Sequence, residues 1–194
     1  MPATKPIKLL TDPAGPGDFD SRTGLRRGGL SPGTVNQMVG ELPRALGQIP
    51  TGLFLLTTSY DGHRSGVLVK WVQQCAAQPP MVIVAMTKGL PVEPLIRDSR
   101  SFALCQIAQD DRLLQRKFAT PPAAREDPFV TLPTMTAISG APIVKRAVAY
   151  LDCELVRHID LETDYALYVG RVRQGGVLNE GQPAVFLRDS DLVA

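Results

Sequence analysis

Two histidines, three cysteines and one tryptophan in 194 residues leave little of the usual catalytic inventory. With only His63 and His158, ordinary general acid–base chemistry is poorly supplied. Cys75, Cys105 and Cys153 lie far apart with no Cys-x-x-Cys, so structural zinc, which needs four convergent ligands, is not expected. Cys105 and Cys153 sit in apolar strand patterns and read as small core residues. Cys75 has no His or carboxylate close in sequence to activate it, so it reads as packing rather than as a nucleophile. Also missing are a Walker loop, a Gly-x-Gly-x-x-Gly turn and a Ser/His/Asp constellation. No apolar run approaches the roughly 20 residues of a membrane span, and no charged-then-apolar secretory pattern follows Met1. A cytoplasmic protein with no membrane partner is expected. Lys and Arg number 21 against 19 Asp and Glu, a formal charge of +2, and are dispersed, which excludes nucleic acid as the obvious partner.

What is present is a chain 44% hydrophobic and long enough for one sizeable core. Residues 1–33 carry five Pro and six Gly and cannot sustain a helix or a ladder. They form either a disordered tail or an arm around a second subunit, anchored by Leu9, Leu10, Phe19 and Leu25; residues 34–194 form the domain. A helix capped by Ser31 or Thr34 is expected through Val35, Met38, Val39 and Leu42, with Pro43 kinking it or restarting a turn through Leu46.

Ile49 to Thr87 organises the rest. Three β-rich runs, Leu53 to Ser59, Gly66 to Val72 and Met81 to Thr87, are separated by Asp61-Gly62 and by a Gln/Ala/Pro-Pro loop. Asp-Gly between such runs signals a hairpin, because both residues tolerate positive φ. Pro79-Pro80 cannot lie within a ladder and should deliver the chain into the third strand. Downstream, a short helix over Val92 to Arg97 and a strand over Phe102 to Ile107 are expected. A helix through Leu113, Leu114 and Phe118, with Asp110 and Asp111 at its start, should follow. Thr120 to Gly140 is a long excursion, a kind of segment that tends to be functional or to lie at an interface. Strands over Ala147 to His158 and Tyr165 to Gln174 flank the acidic loop of Asp160, Glu162 and Asp164.

The run from Gly66 through Lys70-Trp71-Val72-Gln73-Gln74-Cys75 to Pro79-Pro80 resembles the FMN-binding split-barrel family of flavin reductase-like proteins. Its wording is nearest the flavoredoxin and rubredoxin-associated branch. The frame Gly-x-x-x-Asn is kept with Lys70 at the Asn position. SFALCQIAQDDRLLQRKFA resembles the family's strand-then-helix segment, Gly140-Ala141-Pro142 its Gly-x-Pro motif, and Thr163-Asp164-Tyr165 its Gly-Asp-His motif, with Tyr165 in place of His. The resemblance covers roughly Val35 to Val172. It implies a mainly β fold with short helices (α+β), a Greek-key-like antiparallel split β-barrel.

It further implies that Val69 to Cys75 is a cofactor-facing segment along the flavin ring edge. Backbone amides and the side chains of Gln73 and Gln74 would then satisfy the pyrimidine groups. Trp71 is either part of that surface or simply core. Lys70 either neutralises the reduced ring, contacts the phosphate or is solvated. Lys88 is the phosphate candidate, ahead of Arg116 and Lys117, and Tyr165 takes the nicotinamide-docking role of the missing His. The cofactor expected is FMN, with FAD possible and NADH or NADPH as donor. The assembly expected is a homodimer serving a monooxygenase or redox partner. Two readings follow: an NAD(P)H:flavin reductase, or an electron carrier without efficient nicotinamide turnover. A barrel of the pyridoxamine-phosphate oxidase type is a third, disfavoured by the WVQQC segment.

Overall fold

The computed structural model describes residues 41–123 and 126–187. Residues 41–47 are helical and continue through Pro43; the earlier part of the expected helix, and the tail or arm of residues 1–33, lie outside the described residues. The strands are β1 (Thr51–Gly52), β2 (Phe54–Tyr60), β3 (His63–Val69), β4 (Trp71–Ala77) and β5 (Pro80–Thr87). After α1 (Val92–Ser99) come β6 (Ser101–Gln106) and α2 (Arg112–Lys117). The chain ends with β7 (Thr134–Thr136), β8 (Pro142–Val144), β9 (Ala149–Asp160), β10 (Tyr165–Val177) and β11 (Val185–Phe186).

Local chemistry explains several of these boundaries. Asp61 and Gly62 both have positive φ, 47° and 75°, and place Tyr60 opposite His63 in the β2–β3 hairpin. Pro80 opens β5, where no ladder hydrogen bond is needed from its nitrogen. α1 turns Val92 and Ile96 inward and stops at Arg100, which is left-handed (φ 56°). Asp111 caps α2 by accepting the Leu114 amide at 3.1 Å, and its carboxylate also takes the Arg146 fork at 2.7 and 3.1 Å.

The main sheet has seven antiparallel strands in the order β3-β2-β6-β9-β10-β5-β4. Its two edge strands, β3 and β4, are consecutive in the chain with Lys70 alone between them. Opposite edges joined by one residue force the sheet to curl round, and β3 comes to approach β5. This is the split barrel, with its seam at Lys70. The expected strand Gly66 to Val72 is therefore two strands, because the chain must leave β2 and join β5 within one residue. The expected Gln/Ala/Pro-Pro loop is likewise corrected: residues 71–77 form the edge strand β4.

Side chains alternate between two cores. Leu56, Val69, Val84, Met86, Ile96, Phe102, Leu104 and Tyr168 fill the barrel under α1. Leu55, Cys105, Ile107, Leu114, Phe118, Phe129 and Ile143 form the other core. The excursion over 120–140 thus has a structural task in addition to any role at the site. Phe129, Leu132 and Ala137 are buried, and Thr57 donates to the Pro142 carbonyl at 2.7 Å beneath it.

Cys105 and Cys153 are core residues, each with no exposed surface, and burial pushes both thiols up to about 12. Because the thiolate is disfavoured only in the folded state, their contribution to stability is complete below the unfolded thiol range near 9. It is lost as pH rises from there toward 12. Cys75 is exposed. Iodoacetamide at pH 8 should therefore label one cysteine per folded chain, Cys75, and all three in denaturant. Labelling of Cys105 or Cys153 in the folded chain would contradict this packing.

Candidate functional site

The seam opens into a cavity of about 400 Å³. One wall is the end of β3 and the start of β4, with Val69, Lys70 and Trp71; a second is Tyr165 beside Met86 and Thr87; Phe118, Ala119 and Pro121 close the third. Lys70 has no opposite residue in either the β2–β3 or the β4–β5 ladder, so its backbone stands outside the regular pairing at the mouth. Its ammonium is exposed there.

Trp71 and Tyr165 meet because β5 lies between them. Trp71 is opposite Ala85 and Tyr165 opposite Thr87, two residues along the same face of β5. Their ring centroids are 4.8 Å apart and tilted by 39°. Both residues are half-buried, so the pair presents aromatic surface to the cavity and the adjoining face of the sheet.

The other residues expected at the site are distributed differently. Gln73 lies with Lys70, Trp71, Ile83 and Leu167 in an adjoining groove of about 410 Å³. Strand alternation turns Gln74 to the other face, where its amide donates to the Ala76 carbonyl at 3.1 Å. Cys75 falls at an irregularity of the β4–β5 register, between Gln74 and Ala76. Neither Gln74 nor Cys75 lines the cavity walled by Tyr165. Lys88 follows the cavity-lining Thr87 but does not itself line the cavity, and is paired with Asp160 at the end of β9. That bond, then the Glu162 amide, holds the Asp160 carboxyl below the usual carboxylate range. The Lys88 amide also donates to the Asp164 carbonyl at 2.8 Å, which ties the turn after β5 to the acidic loop. Arg116 and Lys117 are on the last turn of α2, next to the cavity-lining Phe118.

Sequence reasoning named Val69, Lys70, Trp71 and Tyr165, which the fold brings together, but missed Met86, Thr87 and Pro121. Alternation within Met81 to Thr87 was the available signal for the first two; Pro121 had none.

The walls fit a flat, largely apolar ring with polar edges. The volume lies within the range of ordinary small-molecule sites, and the polar side chains are few: Lys70 and Trp71 at the seam, Thr87 and Tyr165 on the second wall.

The chain belongs to the flavin reductase-like family: the profile described as "Flavin reductase like domain" matches residues 46–191. Diflavin flavoprotein A 1 of Synechocystis is 30% identical over 158 residues, which cover 79% of this chain and 27% of that protein. The chain spans about a quarter of the length of the curated relatives it matches. Among solved structures, the NADH:FAD oxidoreductase SgcE6 of Streptomyces globisporus superposes with a TM-score of 0.68 at 22% identity, covering 91% of this chain and 95% of that one. The styrene monooxygenase flavin reductase of Pseudomonas putida S12 gives 0.61 at 23%, covering 74% and 90%. These two establish likeness of fold. No helix among the described residues is long and apolar enough to cross a membrane.

Proposed function

We propose that this protein is an NAD(P)H:flavin reductase that holds FMN, or alternatively FAD, in the seam cavity. It takes its electrons from NADH or NADPH and passes electrons or reduced flavin to a partner monooxygenase or redox protein. The observation that carries the reading is the cavity of about 400 Å³ between the Lys70 seam and the Trp71–Tyr165 pair. What a bound flavin supplies there is a ring able to take a hydride from reduced nicotinamide, with a solvent proton completing the two-electron change.

This chain's residues bind, shield and tune. Trp71 and Tyr165 offer flat apolar surface, Phe118 and Pro121 keep water from one side, and the seam backbone supplies polar contacts. Lys70 places a cation at the mouth, where it would favour an anionic reduced ring. Lys88 would serve the phosphate by exchanging its contact with Asp160, a half-exposed pair that costs little to break. Partner transfer is supported by the likeness to the styrene monooxygenase flavin reductase.

A second reading, an electron carrier, is favoured by one observation. Neither His63 nor His158 lines the cavity, so no imidazole stands where Tyr165 does.

We also propose a homodimer through the outer face of β4, β5 and β10. Ile83, Ala85, Leu167 and Val169 form a half-buried apolar strip there, next to Ile49 and Pro50.

One set of measurements tests the proposal. Fluorescence titration should give one flavin per chain, light scattering twice the 21.0 kDa chain mass, and stopped-flow mixing with NADH or NADPH should bleach the flavin in seconds. Failure to bind FMN or FAD would overturn the reading. Bound flavin that stays oxidised for many minutes under both donors would leave the carrier.

A further inference from the structure

The turn between β5 and α1 separates two cavities, and Leu90 lines both. The second, of about 420 Å³, lies between α1 and strands β9 and β10. Its walls set an aromatic shelf, two cations and a carboxylate around one space. His158 and Tyr168 are opposite each other on β9 and β10, with ring centroids 4.7 Å apart and a 32° tilt. His158 is exposed and Tyr168 buried, so the imidazole is the outer layer of the shelf. Arg97 and Arg100 stand on the α1 side. Glu93 accepts the Leu90 amide at 2.8 Å and lies against the Tyr168 hydroxyl, whose ionisation burial and then the Glu93 charge oppose.

Resting on the reading above, we propose that this second cavity takes an adenylate, the base and 5′-phosphate half of a dinucleotide whose redox half occupies the Trp71–Tyr165 cavity. Each wall restricts the ligand. Glu93 repels a phosphate placed beside it and accepts from an exocyclic amine, so the base belongs at that end. The exposed imidazole offers a ring for it to stack on. The phosphate then falls to the arginines. Among the described residues Arg97 is paired with its neighbour Asp98, an exposed pair that is easily exchanged. Arg100 donates to the Leu155 carbonyl from Nη2, one of five donors on its guanidinium. Inorganic phosphate alone would leave the shelf and Glu93 unused. The shared wall at Leu90 sets the two halves side by side around one turn. Both NAD(P)H and FAD carry an adenylate, whereas FMN does not.

The probe is ADP, which has the adenylate and no redox ring. Calorimetry on the FMN-loaded protein should show saturable binding of one ADP per chain. The Arg97→Ala/Arg100→Gln double variant should weaken it about tenfold, the scale of charge-assisted contacts at a partly exposed site. His158→Ala should weaken it separately, with FMN affinity unchanged in both variants as the check on folding. If the donor is the source, the double variant raises KM for NADH about tenfold and leaves reduced nicotinamide mononucleotide, which lacks the adenylate, unaffected. If FAD is the source, its Kd rises instead and that of FMN stays. Either result supports the subsite. No saturable ADP binding at millimolar concentration, or binding that the variants leave unchanged, overturns it while FMN binding stands. Failure of FMN to bind the wild-type chain would instead sink the flavin reading itself.

Discussion

Replacing Trp71 and Tyr165 together with alanine is expected to weaken flavin binding by roughly a hundredfold. Ring-on-ring contact with a planar ligand is worth about 1–3 kcal/mol per side chain by alanine substitution. The two rings already touch each other at 4.8 Å, so part of their surface is shared and the pair should lose about 3 kcal/mol rather than the full sum. The fold should survive, because Trp71 and Tyr165 each begin a strand, are half-buried, and belong to neither of the two cores. Tyr165→Phe keeps the ring and should stay within about tenfold of wild type in kcat/KM. Fluorescence quenching by the double variant and steady-state turnover of NADH by Tyr165→Phe measure the two effects separately. A double variant that titrates like wild type would remove the aromatic pair from the site.

The largest effect on stability is expected at Gly170, in the middle of β10. A Cβ there would lie 2.5 Å from Phe102 Cζ and 2.9 Å from Cys153 Cβ. Phe102 and Cys153 have no exposed surface, and β10 is held by β5 on one side and β9 on the other, so neither side chain nor strand can easily give way. Gly170→Ala should therefore cost about 3 kcal/mol, and Gly170→Val more. Phe102→Leu removes the nearest atom, so adding it to Gly170→Ala should destabilise by less than the sum of the two single changes. Urea midpoints of the four proteins test this. A Gly170→Ala chain that unfolds at the wild-type midpoint would mean the strands shift more freely than their packing implies.

Much of the barrel was legible because its signals are local. Asp61-Gly62 has few ways to turn, Pro80 can only begin a strand, and Asp111 caps a helix with its own carboxylate. The buried state of Cys105 and Cys153 follows from their place in apolar alternation. The break at Lys70 was not legible, since Val67 to Val72 reads as one apolar run with a single cation in it. Only the need to leave one sheet edge and join the other divides it. The 120–140 excursion reads as loop by composition, yet Phe129 and Leu132 close a core, because the outer face of β2 and β6 has to be covered.

The sequence by itself determined that the chain is an antiparallel β protein with short helices. Turn residues and alternation, which act over a few neighbours, marked its strands, and the motif frame marked Lys70, Trp71 and Tyr165 as candidates for its chemistry. Tertiary structure alone decided which of the marked residues share a cavity. Trp71 reaches Tyr165 only because β5 pairs with both of their strands. Gln73 reaches the groove beside Lys70 and Trp71 and Gln74 does not, because successive side chains of a strand face opposite ways, and that could be applied only once residues 71–77 were known to be a strand. Lys88 finds Asp160, and Arg97 and Arg100 come to stand near His158, by contacts between distant segments that the β9–β10 hairpin and the curl of the sheet bring together. Pairings of this kind depend on register and closure, which are properties of the whole sheet and are not written in any short stretch of the chain.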